Sequence, residues 1–246
     1  MRLENKIAVI TGGGRGIGKA IAEAFAHEGA KVVVTAARGK TEIEEVASRI
    51  NGIACLADVS KSDEVRRLVD SVLSRFGRID ILVNNAARGM KFVNESFMTE
   101  PKPFWEADAD AWRMVIDTNI TGVFLITKAV VPHMLERGSG RIINISISQE
   151  TMKRKGFTPY GPSKAALESM STIWAQELAG TGVTLNVLLP GGATNTGMIP
   201  DSFPESRRKD LIDPQVMGPP AVYLAADEAR EINGQRIVAI EWVAPK

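Results

Sequence analysis

The run Thr11-Gly12-Gly13-Gly14-Arg15-Gly16-Ile17-Gly18 follows an apolar, β-branched stretch at 7–11 and opens a segment of helical period. No other feature limits the fold as much. Glycines in such a turn let the backbone double back tightly and bring its N–H groups against a pyrophosphate at the helix N-terminus. Taken alone, the cluster is as compatible with a flexible turn that binds nothing. A strand before it and a helix after it favour a nucleotide site.

The rest of the chain repeats that strand-then-helix rhythm. Short β-branched runs at 7–11, 31–35, 53–57, 79–83, 141–147, 184–189 and 236–242 predict seven strands, several apolar on both faces, as a sheet covered by helices requires. Between them, 16–28, 61–76, 109–136 and 159–179 read as helices, with Ser60 and Thr158 as N-caps and Gly29, Gly77 and Gly138 as stops. The pattern predicts one doubly wound α/β domain over 1–246: a parallel seven-stranded sheet with helices on both faces. No linker or repeat divides it. Two irregular stretches, 88–108 and 191–218, each follow a strand, at the end of a parallel sheet where a ligand crevice forms. They predict a substrate pocket and its lid.

Charge narrows the partners. Thirty basic side chains nearly cancel twenty-nine acidic ones, for a net charge of +1, so no global field attracts nucleic acid or an anionic membrane. Small molecules, or copies of the chain itself, are the expected partners. The single Cys55 cannot close an internal disulfide, and with two histidines it argues against a zinc site, which suits a reducing, cytoplasmic setting. No apolar signal core is read at the N-terminus. No stretch is expected to reach the roughly 18 apolar residues of a membrane span.

Further motifs stand in order along the chain: Asp58-Val59, Asn84-Asn85-Ala86-Ala87, Asn119, Tyr160-x-x-x-Lys164 and Pro190-Gly191. Singly, the Asn-Asn pair reads as a polar turn and Pro190-Gly191 as a plain loop. With the glycine turn, the ordered set resembles the short-chain dehydrogenase/reductase family over nearly the whole chain, Ala87 standing where that family has glycine. The resemblance implies a Rossmann domain that holds a nicotinamide dinucleotide and interconverts a small-molecule carbonyl and a secondary alcohol. It implies cofactor contacts from Gly12, Arg15, Gly16, Ile17 and Gly18, from Asp58 and Val59 at the adenine, and from Asn85, Ala86, Tyr160, Lys164, Pro190 and Gly191. Further on, Thr194 and Thr196 straddle the position of a threonine that contacts the carboxamide, and Thr196 is the preferred candidate.

Choice of cofactor turns on the end of the second strand, where an acidic residue would hold the ribose hydroxyls of NAD. Thr35-Ala36-Ala37-Arg38 offers none. Arg15 and Arg38 can instead receive a 2′-phosphate through charge-assisted hydrogen bonds, so NADP(H) is expected, with NAD(H) as the alternative if both arginines are merely solvated.

Tyr160 and Lys164 lie four apart on a helix and so emerge on one face. Lowering a phenol from a pKa of about 10 to near 7 needs about 4 kcal/mol, roughly what an ammonium about 4 Å away contributes at an effective dielectric of 20. By resemblance, Tyr160 is the general acid–base, Lys164 lowers its pKa and holds the nicotinamide ribose, and Asn119 supports a relay water. One member is absent. Thirteen positions before Tyr160, where the family places a serine that donates to the substrate oxygen, stands Ile147. Strand alternation turns Gln149 to the same side as Ile147, making it the first candidate replacement, with Ser148 second if the strand ends early.

Compared with the family, 88–108 carries an insertion, whose Phe92, Phe97, Phe104 and Trp105 can wall the pocket. Arg88, Lys91 and Lys153-Arg154-Lys155 can attract an anion or can be a solvated loop. The segment 197–217, with three prolines, reads as the closing lid. The family's Gly-Gly after the last strand is replaced near Glu241-Trp242. The long helices at 109–136 and 159–179 imply a homotetramer or homodimer. A reading of a different class also stands: a catalytically silent NADP(H) sensor or oligomeric scaffold, supported by Ile147.

Overall fold

A computed structural model describes residues 1–245. Seven parallel strands, β1 (Ile7–Thr11), β2 (Lys31–Ala36), β3 (Ile53–Leu56), β4 (Ile81–Asn84), β5 (Gly140–Ile145), β6 (Val183–Leu189) and β7 (Arg236–Val238), form one sheet in the order β3-β2-β1-β4-β5-β6-β7. The chain winds outward from β1 to β3 and then returns to β4 on the other side of β1. That reversal places a switch point between β1 and β4, above which a crevice opens at the strands' carboxyl ends.

The central strands are buried throughout because helices cover both faces. In β1, Ala8 and Ile10 join a core with α1 (Gly16–His27), α2 (Lys40–Arg49) and α8 (Gly218–Ala225), while Ile7 and Val9 join the opposite core. That second layer holds α3 (Ser62–Phe76), α5 (Gly122–Glu136) and α7 (Tyr160–Glu177), and α4 (Ala109–Ile116) leads into α5. Period-two alternation along each strand therefore feeds two separate cores.

Several expected boundaries differ. Helix α2 was not among those expected, because its apolar stripe is only Ile43, Val46 and Ala47 amid charged residues. Helix α8 was masked by Pro219 and Pro220, which a first helical turn tolerates since its N–H groups have no intrahelical partner. The strand β5 ends at Ile145 rather than 147, and β7 pairs over only three residues before a tight turn at Ala239–Glu241. Neither Ser60 nor Thr158 caps a helix: α3 follows Lys61 and α7 follows Pro159, both without a side-chain cap bond. The chain does turn at Gly29, Gly77 and Gly138, all at positive φ.

The stretch expected as one helix over 109–136 contains a π-helical turn, Asp117–Thr121, between α4 and α5. Such turns widen a helix locally and reposition a side chain, here Asn119. Ala109–Glu136 is, by length and a mean hydropathy of 1.5, apolar enough to cross a membrane, contrary to the expectation that no stretch would be. In the fold its Ile126, Val130 and Met134 are buried in the second core.

Candidate active site

A groove of about 560 Å³ opens above the switch point. Its floor is the glycine turn. Gly12 sits at φ +65°, a conformation costly for any residue with a side chain, and a Cβ at Gly18 would strike the Gly12 carbonyl oxygen. Gly18 therefore packs beneath the turn instead of lining the groove. The turn ends at the N-terminus of α1, where Arg15 caps through no side chain and no acidic residue occupies the first turn. Those free N–H groups and the helix dipole suit a pyrophosphate, so the residues present fit a dinucleotide.

Of the residues expected to hold the cofactor, Gly12, Arg15, Gly16, Ile17, Arg38, Asp58, Val59, Asn85, Ala86 and Thr196 line this groove. Thr11, not singled out from sequence, organises its floor. Its hydroxyl donates to the Val83 carbonyl at 3.2 Å and accepts the backbone N–H groups of Asn85 and Ala86 at 3.0 Å each. Asn85 reciprocates, its amide donating to the Thr11 and Gly12 carbonyls at 2.9 Å. Asn85 thus ties the end of β4 to the glycine turn. Asp58 accepts from the backbone and hydroxyl of Ser60 at 3.0 and 2.7 Å. Burial by itself raises its pKa, but the Ser60 hydrogen bonds and the charges of Arg88 and Lys61 outweigh this and hold the carboxyl below its ordinary value.

At the adenosine end, sequence reasoning missed an acid. Glu42, from α2, lines the groove and faces Arg15 at 3.5 Å. It escaped notice because an acid was sought on the strand end, whereas this one comes from the unrecognised helix. Arg38 forms no ion pair among the described residues.

Not every expected residue lines the groove. Thr194 is buried, bridges to Ile212 and donates its hydroxyl to the Gly192 carbonyl, while Pro190 is buried and Gly191 lies against Ile240. Thr196 reaches the glycine turn, since a Cβ on Gly16 would stand 2.9 Å from its methyl. Thr196 and Gly197 accordingly lie against the turn.

Tyr160 and Lys164, both on the first turns of α7, are buried beside the groove without lining it. The phenol belongs to an apolar cluster with Met90, Phe97 and Phe157, against which Ile147 and Met198 pack. Its one hydrogen-bond contact is the Met198 thioether sulfur at 3.9 Å. The Lys164 ammonium donates instead to the Ile145 carbonyl at 2.7 Å. This corrects the expected electrostatics. With no charge acting on it, burial pushes Tyr160 up to about 12 rather than down towards 7. Burial likewise pushes Lys164 down to about 8, opposed by the negative charge of Glu168.

Two further expectations need correction. Gln149 does not turn to the side of Ile147: the strand alternation lapses at Ile145, and Gln149 starts the short helix α6 (Gln149–Met152) as an exposed residue. Ser148 is occupied as the N-cap of that helix, accepting the Thr151 N–H at 3.3 Å and sharing a 2.9 Å hydrogen bond with the Thr151 hydroxyl. The Asn119 side chain is held by protein groups. It accepts the Arg88 N–H at 2.8 Å and donates to the Arg88 carbonyl and Ser163 hydroxyl at 3.0 and 2.9 Å, anchoring the root of the 88–108 insertion.

Of the four aromatic side chains in that insertion, only Phe97 joins the cluster around the tyrosine. Phe104 and Trp105 stack edge to face at 5.2 Å and are 68% and 73% exposed, while Phe92 lies in the groove under the Arg88 guanidinium. Lys91 pairs with Glu95 and Asp201, and the basic run at 153–155 is exposed.

Comparison with known proteins agrees with this geometry. A family model described as short chain dehydrogenase matches residues 6–206. A 3-oxoacyl-(acyl-carrier-protein) reductase of Thermotoga maritima is 33% identical over 251 residues, covering 96% of this chain and 97% of that protein. An oxidoreductase of Staphylococcus saprophyticus, itself uncharacterized, is 38% identical over 95% of this chain and 96% of its own length. Among solved structures, the 3-ketoacyl-(acyl-carrier-protein) reductase of Brucella melitensis complexed with NADH superposes with a TM-score of 0.84 at 30% identity, covering 96% of this chain and 97% of that one. A Shigella flexneri chain complexed with NADP gives a TM-score of 0.85 at 26% identity, with 97% and 98% coverage.

Proposed function

Because the chain belongs to the short-chain dehydrogenase/reductase family and is an oxidoreductase of that family, we propose that it reduces a small-molecule ketone to a secondary alcohol with Tyr160 as the proton donor. The carrying observation is the pair Tyr160 and Lys164, buried on one face of α7 beside a groove whose floor is the glycine turn. A nicotinamide dinucleotide held over the glycine turn by Gly12, Gly16 and Ile17 would supply hydride for the reduction. Tyr160 gives its phenolic proton to the carbonyl oxygen, and Lys164, Asn119 and the Ile145 carbonyl hold the surrounding chain. A phenol at about 12 stays protonated at neutral pH, the form that reduction consumes and alcohol oxidation cannot use. The resting tyrosine is therefore in the form that donates a proton in the reduction step. Substrate reaches the phenol when Met198 swings aside, so 191–218 works as the lid and 88–108 as the facing wall of a single unit. Exposed Trp112, Phe124, Leu135 and Ile173 on α4, α5 and α7 support self-association into a homodimer or homotetramer.

The direct test follows absorbance of the reduced nicotinamide across a panel of ketones. Turnover that depends on Tyr160 supports the reading; none on any ketone, with tight cofactor binding, supports a silent dinucleotide-binding protein. That second reading draws on one observation: the phenol meets apolar groups and a thioether where a serine hydroxyl would stand.

Ile147 makes the weak point of the site testable. Removing one donor to a developing oxyanion typically costs about 10²–10³ in turnover. Ile147→Ser should accordingly raise kcat about tenfold or more. An unchanged or lower kcat in a folded variant would show that the site relies on another donor.

For the cofactor, NADP(H) is the preferred reading, with Arg38 free to meet a 2′-phosphate and Arg15 shared with Glu42. Arg38→Ala should raise KM for NADPH about tenfold and leave KM for NADH within about twofold, since a charge-assisted contact is worth about 1.5–3 kcal/mol. Equal effects on both cofactors would remove the assignment.

A further inference from the structure

One helical turn beyond Lys164, Glu168 forms a group of contacts that the proposed chemistry does not use. The Ser146 hydroxyl donates to its carboxylate at 2.7 Å. Arg236, the first residue of β7, donates through Nε to both carboxylate oxygens at 3.0 Å and through Nη2 to the Ile147 carbonyl at 3.1 Å. Just upstream, the Ile145 carbonyl receives the Lys164 ammonium at 2.7 Å, and the Ser146 N–H donates to the Leu188 carbonyl at 2.9 Å. Three consecutive residues, Ile145, Ser146 and Ile147, are thus each fastened.

The location gives these contacts meaning. β5 ends at Ile145, so the sheet no longer dictates where Ile147 goes, yet Ile147 packs against the apolar cluster that holds Tyr160. The Glu168 and Arg236 side chains are only 18% and 33% exposed, and the fork of the guanidinium fixes direction as well as distance. We propose that Glu168 and Arg236 are positioning residues: their ion pair clamps the chain leaving β5, holding the Ile145 carbonyl on Lys164 and Ile147 against the cluster that holds Tyr160. This rests on the reading of Tyr160 and Lys164 as the reacting pair.

The charges around Lys164 are few. Glu168 is the ionised group that acts on it, raising its pKa against burial. Tyr160 on the same helix is neutral, β5 presents a carbonyl and a hydroxyl, and Arg236 on β7 faces Glu168. From the π-helical turn, Asn119 meets Ser163.

Two variants of the full chain test the clamp, with thermal melting to confirm folding. Glu168→Gln keeps shape and removes charge; Arg236→Lys keeps charge and removes the fork. Both should lower kcat about 10- to 100-fold, the scale of a small misplacement of reacting groups, with cofactor KM within about twofold. In Glu168→Gln, the Lys164 titration followed by NMR of labelled lysine should also move to lower pH. Wild-type kcat in either folded variant, or an unmoved lysine titration in Glu168→Gln, overturns the proposal. If the wild-type protein reduces no ketone, the functional reading fails, and the Lys164 titration in the charge-keeping Arg236→Lys decides the clamp: a move to lower pH supports it and an unmoved titration overturns it. Should Glu168→Gln not fold, kcat of Arg236→Lys decides alone.

Discussion

Tyr160→Phe should lower ketone reduction by about 10²–10⁴, the usual contribution of a positioned proton donor, while leaving cofactor affinity within about twofold. The asymmetry follows from the geometry. Tyr160 lies beside the groove and does not line it, and its hydroxyl touches only the Met198 sulfur, so its removal takes away no contact that holds the groove's shape. Loss of a hydroxyl from an apolar cluster also relieves a buried polar group that lacks an oxygen or nitrogen partner. The variant should therefore melt no lower than wild type. Steady-state kinetics and cofactor titration check both halves. Retained turnover in Tyr160→Phe would remove the tyrosine from the chemistry, and with it the assignment of the reacting pair.

Lys164→Met should cost activity on a similar scale and yet stabilise the fold. The buried ammonium is pushed from 10.5 down to about 8, a difference worth about 3 kcal/mol at one proton. A group with a depressed folded pKa binds fewer protons folded than unfolded. Wild-type stability thus grows with pH from about 8 towards 10.5, and below about 8 the penalty is paid in full. Methionine removes that penalty but leaves the Ile145 carbonyl without its donor, which returns about 1–2 kcal/mol. A net gain of about 1–2 kcal/mol at neutral pH corresponds to about 2–8 °C in melting temperature for a chain of this size. The rise in wild-type stability between pH 8 and 10 should also flatten in the variant. The window stops at 10 because Tyr160, raised to about 12, works in the opposite sense above it. A lower melting temperature at neutral pH, or an unchanged pH slope, would show that the ammonium is not strained by burial. A higher melting temperature with a flattened slope would instead make the site an instance in which function tolerates a destabilising group because the chemistry needs its charge.

How much of this was legible in advance differs by element. The strand–turn–helix at 7–28 could be read because glycine spacing and β-branched runs are local properties, set within about twenty residues. Helix α2 could not, since three apolar residues among charges carry little period, and with it went Glu42, which faces Arg15 across the groove. Gln149 was placed by alternation carried four residues beyond the point where pairing with β6 stops. Nothing local marks that stop. Likewise, the four-residue spacing of Tyr160 and Lys164 identifies a shared helix face but not what surrounds it.

From its residues alone the chain determines an alternating α/β order, a phosphate-sized glycine turn and a tyrosine and lysine on one helical face, because backbone sterics and side-chain period act over short range. Tertiary structure decided the rest: that Met198 meets the phenol, that the lysine turns to the Ile145 carbonyl, and that Arg236 reaches back to Ile147. Those hydrogen-bond contacts join residues 38, 19 and 89 positions apart, and burial sets both pKa values, so only the packed sheet and its covering helices could bring them about.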